Sequence, residues 1–321
     1  MSGIVGIINL DGKPVNRELL ERLTKFIAYR GLDAQDMWIE GAVGFGHTLL
    51  QTTFESVYEH QPCSLDSKVW ITADARIDGR ADLKAQLQAQ GCSNLEKVTD
   101  VELILHAYRI WGTDCVEHLI GDFAFAIWDE YQQRLFCVRD QFGVKPFYYA
   151  HVGNSLVFSN TLNCVRLHPG VSDKLNDQAI GDFLLFDTNY QPDSTTFTDI
   201  RRLPGGHTLI VSNASVRSQR YWTLPINEPI RYKKAADYVE HFQEIMGLAV
   251  GDRLRQERVA ILMSGGLDST SIAATALELK SRQSIPLDLQ AFCVVYDRLI
   301  PDTERYYSGI AAEALGIPIT T

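Results

Sequence analysis

Apolar residues change their spacing along the chain, and the changes mark its elements. GIVGIINL, residues 3–10, is a short apolar run and predicts a strand at the very start. In NRELLERLTKFIAYR, Leu19, Leu20, Leu23, Phe26 and Ile27 recur at helical spacing behind Asn16, a capping residue. VWITADARI predicts a strand, and RADLKAQLQAQG a short helix closed by Gly91. TDVELILHAYRIWG carries a capping box, Thr99 with Glu102 three residues on, and closes at Gly112. DFAFAIWD, RLFCVRD, SLVFSN and HTLIVSN then read as strands parted by turn signals such as YQQ and HVGN. Strand runs with segregated helices predict α+β layers, not alternating βαβ units.

The pattern changes again after YWTLPINEPIRY. This stretch has no periodicity and holds Pro225 and Pro229, so it predicts a linker. Beyond it come a helix over about 235–254, the strand VAILM, the turn SGGLDST, a helix, the strand LQAFCVVY and a helix over about 303–315. GIPITT begins a third strand. This βαβα order predicts a parallel sheet with crossover helices. The expected division is a first domain at 1–222, a linker at 223–234 and a second domain at 235–321.

Composition narrows the function classes. The 321 residues are 45% hydrophobic and 22% charged, with a net charge of −10, which argues against a general nucleic-acid surface. No apolar run reaches the roughly 18 residues of a membrane span. The N-terminus has no signal-type core, so the chain reads as cytoplasmic, with no membrane partner. The six cysteines form no C-x-x-C pair and read as scattered reduced thiols. The eight histidines show no H-x-x-x-H, so no structural metal site is expected.

The sharpest chemistry lies at 264–270. A strand, a Gly265-Gly266 turn and a helix start form an anion cradle, to which Ser264, Ser269 and Thr270 add hydroxyls. Asp268 adds like charge at such a site unless a divalent cation bridges it to phosphates. A bare strand-to-helix turn would leave three hydroxyls and an acid in one short stretch unaccounted for.

SGGLDST resembles the pyrophosphate loop of ATP pyrophosphatases of the adenine-nucleotide α-hydrolase type. The whole chain resembles the asparagine synthetase family, on AYRGLDAQD, TDVELILHAYRIWG, GDFAFAIWD, RDQFGVKPFYY and RRLPGGHTLIV. The resemblance implies an αββα N-terminal-nucleophile hydrolase sandwich of the glutamine amidotransferase type. A partial α/β parallel-sheet nucleotide domain follows it. Ser264, Gly265, Gly266, Asp268 and Ser269 would hold the pyrophosphate of ATP, with Mg²⁺ at Asp268. Leu262 and Val294 would line the adenosine site, with sheet-core packing as their main role. A carboxylate would be activated as an acyl-adenylate and attacked by an amine. The resemblance further implies a later glycine-rich loop and a lysine that stabilises the reacting phosphate. Neither is in these 321 residues, so the chain is expected to be truncated and inactive in ligation alone.

The first domain departs from the family. Glutamine-hydrolysing members have Cys as first mature residue, and Ser2 stands there. Serine is a weaker N-terminal nucleophile, and it would need Met1 removed. Leu49, two residues after His47, replaces the arginine that grips the glutamine carboxylate. Asp74 and Ala75 replace the Asn-Gly oxyanion donors, and Arg76 replaces a glutamate that binds the α-amine. A carboxylate at 74 is expected to repel an oxyanion, where losing a single donor already costs about 3 kcal/mol. Asp100 matches the remaining amine-binding acid, but also fits a plain first-turn helix acid. The expectation is an ATP-dependent amide ligase with a degenerate glutaminase half, acting on a small-molecule or peptide carboxylate. The alternatives are an intramolecular ligase of the lasso-peptide cyclase or β-lactam synthetase kind, and a Ser2-dependent amidohydrolase. A homodimer or a precursor peptide is the expected partner.

Overall fold

The computed structural model describes residues 2–212, 215–296, 298 and 302–321. The chain divides into two compact units, Met1–Pro225 and Ile226–Thr321.

In chain order the first unit carries β1 (Gly3–Asn9), α1 (Arg17–Phe26), β2 (Ala34–Glu40), β3 (Val43–Leu49), β4 (Cys63–Ser64) and β5 (Val69–Asp78). Then come α2 (Arg80–Ala89), α3 (Asp100–Trp111), β6 (Ile120–Asp129), β7 (Arg134–Arg139), β8 (Tyr148–Val152) and β9 (Ser155–Ser159). The unit ends with α4 (Leu162–Arg166), α5 (Asp177–Phe186), β10 (Arg201–Arg202), β11 (His207–Ser212) and β12 (Ser215–Arg220).

Two six-stranded antiparallel sheets result, in the orders β10-β8-β9-β1-β3-β2 and β12-β11-β7-β6-β5-β4. Their inner faces share a core that includes Phe45, Phe147, Phe158, Ala124 and Ala126. Outside the first sheet, α1 and α4 bury Leu20, Leu23 and Cys164 against Val5 and Val157. Outside the second, α2 and α3 bury Leu83, Ile104 and Tyr108 against Ile77, Phe125 and Phe136. The layers are therefore αββα, as the resemblance implied.

Local chemistry sets the element starts. The Asn16 side chain accepts from Leu19 N (3.0 Å) and caps α1. At α3, Thr99 accepts from Glu102 N (3.3 Å), and the Glu102 carboxylate accepts from Thr99 N (2.8 Å), closing the capping box. β4 pairs only with Ile71 and Trp70, so the outer edge of β5 continues past it. There the Gln61 side chain stands in for a strand. Its Oε1 accepts from Ala73 N (2.6 Å) and its Nε2 donates to Ala73 O (3.0 Å). Farther on, Ile77 N donates to Asp100 Oδ2 (3.2 Å).

The second unit carries α6 (Ala235–Gly251), β13 (Arg258–Leu262), α7 (Leu267–Gln283), β14 (Asp288–Phe292), α8 (Glu304–Leu315) and β15 (Ile319–Thr320). β13, β14 and β15 form a parallel sheet in that order, with Met263, Ala273, Ala276, Leu289 and Ala291 in its core. LQAFCVVY is shorter as a strand than its apolar run, because β14 ends at Phe292. Among the described residues no helix is long and apolar enough to cross a membrane.

Candidate functional site

Ser2 directly precedes β1, and it is buried. Its Oγ accepts from Leu50 N (3.1 Å). Its carbonyl accepts from Asn160 Nδ2 (2.8 Å) and Arg30 Nε (3.4 Å). The neighbouring strand β3 brings His47 and Leu49 alongside, both buried. Leu49 has no group that could hold a carboxylate. His47 Nε2 lies 3.1 Å from Ala73 O, and since a carbonyl only accepts, Nε2 carries the proton. Burial pushes the His47 pKa down to about 4, against weaker opposing effects of the Ala73 carbonyl and the Asp74 charge, so the ring is neutral at pH 7.

On β5, side chains alternate between two surroundings. Ala73, Ala75 and Ile77 face the core under α3, whereas Asp74 pairs with Ala124 and faces the inter-sheet gap. Asp74 is buried, and its partners offset the repulsion expected of a carboxylate at this position. Its Oδ1 accepts from Lys145 Nζ (2.9 Å), its Oδ2 from Asn160 Nδ2 (3.2 Å), and Arg30 Nη2 lies 3.9 Å away. Two cations against one carboxylate leave no net negative charge, so what position 74 lacks is a donor. Ala75 Cβ packs into the α3 core, but its backbone N–H points out of the same β5 edge as those of Ala73 and Ile77, by strand parity.

Arg76 Nε lies 3.9 Å from Asp78 Oδ1, with its side chain a quarter exposed. Asp100 opens α3. One of its oxygens pairs with Arg80, which also donates to Val98 O (2.6 Å), and the other holds Ile77 N. Asp100 thus ties the helix start to the end of β5. Glu59 is a further acid at this end and donates nothing while ionised; it accepts from Gln61 Nε2 (2.6 Å). Burial raises its pKa to about 7, opposed by the Gln61 bond and reinforced by the charges of Asp100, Glu102 and Asp74.

The sequence reading did not single out Arg30, Glu59, Gln61, Lys145 or Asn160. Lys145 carried a usable signal: a lone cation in the apolar stretch QFGVKPFYYA. Asn160, directly after a buried strand, carried none.

In the second unit the loop after β13 is compact. Gly265 has φ +78°, and a Cβ there would lie 2.5 Å from the Tyr307 carbonyl carbon and 2.6 Å from Ser308 N. Only glycine lets this turn pack on the α8 backbone. Ser269 Oγ accepts from Ser264 N (3.2 Å) and lies 3.4 Å from Ser264 Oγ, which accepts from Gly266 N (3.3 Å). α7 has no side-chain cap, and its ladder starts with Thr270 N donating to Gly266 O (3.2 Å). The N–H groups of Leu267, Asp268 and Ser269 therefore stand outside the helix ladder. The buried Thr270 Oγ1 has no partner among the described residues. Three orphan donors, a helix N-terminus and a cluster of hydroxyls fit a polyphosphate, and exposed Asp268 fits a bridging cation.

Leu262 and Val294 overturn the expectation of sheet-core packing. They are 76% and 67% exposed: Leu262 lies on the same open sheet face as Ala260 and Gln290, and both residues stand at or just past the carboxyl ends of their strands. Ligands of open α/β sheets bind at that end.

Comparison with known proteins agrees with both units. A glutamine amidotransferase domain model matches residues 1–222, and an asparagine synthase model matches residues 241–321. The chain is 30% identical over 280 residues to asparagine synthetase (glutamine-hydrolyzing) 3 of Bacillus subtilis, covering 86% of this chain and 45% of the relative. It is 28% identical over 330 residues to amidase chry2 of Gibberella zeae, covering 98% and 48%. A solved structure of the B. subtilis glutamine phosphoribosylpyrophosphate amidotransferase aligns at TM-score 0.48 and 17% identity, over 99% of this chain and 65% of that one. The chain spans about half the length of the curated relatives it matches. With an amidotransferase sandwich followed by the strand-and-loop start of an asparagine synthase sheet, the chain belongs to the asparagine synthetase family.

Proposed function

We propose that this chain works in an ATP-dependent amide ligase whose first domain does not hydrolyse glutamine. The loop 264–270 carries the reading: its orphan helix-start donors and hydroxyls suit the phosphates of ATP. Leu262 and Val294, exposed at the strand ends, offer apolar surface to the adenine ring. Mg²⁺ held at Asp268 would neutralise charge on the departing pyrophosphate. A substrate carboxylate oxygen attacks the α-phosphorus and pyrophosphate leaves. An amine nitrogen then attacks the acyl carbon, loses a proton and expels AMP. Holding the reactants in line and offsetting charge are the protein's contribution.

The names of the relatives point to aspartate as the carboxylate. The altered Ser2 pocket instead favours an amine already within the substrate, as in an intramolecular cyclase. Leu49 offers no carboxylate grip and Asp74 offers no donor. Calorimetric titration of the chain with ATP and Mg²⁺ tests the loop. Binding lost in Asp268→Asn, and absent without Mg²⁺, is expected; no ATP binding by the folded chain refutes it. Glutamate release from glutamine tests the pocket, with none expected.

A second reading has its own support. Arg30 stands on the Ser2 carbonyl, Asn160 joins that carbonyl to the Lys145–Asp74 pair, and the Ala75 N–H still points from the β5 edge. These suit a Ser2-dependent amidohydrolase, and one relative is named an amidase. Labelling of Ser2 by an electrophilic amide probe, lost in Ser2→Ala, would favour it over the first reading.

A further inference from the structure

We propose that Asn160 is a positioning residue: it fixes Ser2 and dictates that position 74 carry a pure acceptor. Asn160 is fully buried and its amide has one usable orientation. Its Oδ1 accepts from Ile4 N (3.1 Å), and its Nδ2 donates to Ser2 O (2.8 Å) and Asp74 Oδ2 (3.2 Å). Turning the amide over would set a donor against Ile4 N–H and an acceptor against Ser2 O. Across the gap, Lys145 Nζ, which only donates, lies 2.9 Å from Asp74 Oδ1. Position 74 is thus held between two obligatory donors.

An asparagine at 74 has one oxygen and one NH₂. If its oxygen meets Lys145, its NH₂ faces the Asn160 NH₂. If it turns over, its NH₂ faces an ammonium. Either way a buried donor meets a donor, and such conflicts cost more than an absent bond. Asp74→Asn alone therefore cannot return an amide donor to this pocket. The inference rests on the first reading above, that the pocket does not hydrolyse glutamine, and explains why a single substitution does not undo it.

The chain also brackets Ser2. Asn160 binds the Ile4 N–H and the Ser2 carbonyl on one side of the strand entry, while Leu50 N–H binds Ser2 Oγ. Residue 160 thus fixes the Ser2 backbone from which the hydroxyl reaches Leu50 N–H.

Exchanging the two side chains tests the proposal. In Asp74→Asn with Asn160→Asp, the new amide at position 74 accepts from Lys145 through its oxygen. Its NH₂ donates to the new carboxylate at position 160, so the donor–donor conflict at position 74 is gone, while the Ser2 carbonyl still loses its Asn160 donor, as in Asn160→Asp alone. In Asp74→Asn with Lys145→Met, one of the two donors is gone. All five tryptophans lie before residue 226, so their fluorescence follows unfolding of the first unit. Asp74→Asn and Asn160→Asp are each expected to lower its melting temperature by about 6 °C or more, the exchanged pair to lose clearly less than the sum of the two, and the Lys145→Met double to recover at least half of the Asp74→Asn loss. Losses that simply add in both doubles overturn the proposal. If a single variant does not fold, a folded double supports it and two unfolded doubles overturn it.

Amide exchange separates positioning from bulk stability. Asn160→Asp should speed exchange at Leu50 N–H while β6 amides keep their protection; an unchanged Leu50 overturns the hold on Ser2. Glutamate release by Asp74→Asn would also overturn the lock. Release by the unaltered chain would instead refute the reading of the pocket and leave the coupling measurements standing.

Discussion

Gly265 and Gly266 are adjacent, yet they should fail in different ways. At Gly265, alanine meets two penalties. Its φ of +78° costs a side-chain-bearing residue about 1–2 kcal/mol. Its Cβ would also lie 2.5–2.6 Å from backbone atoms of Tyr307 and Ser308, which cannot rotate aside. Moving α8 to relieve that overlap costs about 1–3 kcal/mol more. Gly265→Ala should therefore destabilise the second unit by about 2–5 kcal/mol. At Gly266, φ is −73° and the nearest atom to a new Cβ is Ser264 Oγ at 3.3 Å, the end of a small side chain. Gly266→Ala should leave stability within about 0.5 kcal/mol but thicken the surface a phosphate must approach, weakening ATP–Mg²⁺ binding about tenfold. The second unit has no tryptophan, so exchange mass spectrometry over residues 258–321 is the stability assay. Protection should fall about thirtyfold or more in Gly265→Ala and stay unchanged in Gly266→Ala. A Gly265→Ala unit as protected as the parent, or a Gly266→Ala unit that binds ATP equally well, would refute the reasoning.

Three further outcomes are expected. Glu59 and His47 should give opposite pH dependences over one window. Glu59 has its pKa raised from 4.5 to about 7, so its contribution is complete below 4.5 and is lost as pH rises through 7. His47 has its pKa lowered from 6.5 to about 4, so its contribution is complete above 6.5 and is lost as pH falls through 4. Glu59→Gln should make first-unit stability rise more steeply from pH 4.5 to 6.5, and His47→Gln should make it fall, by up to about 1.4 kcal/mol per pH unit in urea titrations; parallel curves would contradict both assignments. Leu262→Ser and Val294→Thr should change stability by less than about 0.5 kcal/mol yet weaken ATP binding severalfold, since both side chains are exposed; a large stability loss would return them to the sheet core. Thr99→Ala should cost about 1 kcal/mol through the lost cap of α3, seen as a drop in first-unit melting temperature.

How much of this was legible in the sequence follows from what each segment must satisfy. The caps and apolar stripes of α1 and α3 could be read directly, because local side chains cause them. β3 could not: Val43 to Leu49 is interrupted by Gly44 and Gly46, which make room for Leu20 and Thr24 and carry no hydrophobic signal. β12, SVRSQR, is an exposed outer strand with no apolar alternation, and only its ladder to β11 makes it a strand. α5 leaves Phe183, Leu184, Leu185 and Phe186 exposed, so its apolar run shows no buried stripe. The nucleotide loop was readable because its donors, turn and hydroxyls are contiguous. The Ser2 pocket was only half readable. Ser2, Leu49 and Asp74 stand out by position, but the partners of Asp74 do not, because Lys145 and Asn160 lie 71 and 86 residues away.

The β5 edge has one more consequence. Past β4 its outward-facing residues are Ala73, Ala75 and Ile77. The first is occupied by the Gln61 amide and the third by the Asp100 carboxylate. A docking strand needs successive open rungs two residues apart, and this edge offers a single one, at Ala75. The same two side chains that bar a foreign strand, and with it edge-to-edge aggregation, leave one backbone N–H between them, at Ala75, for a single acceptor.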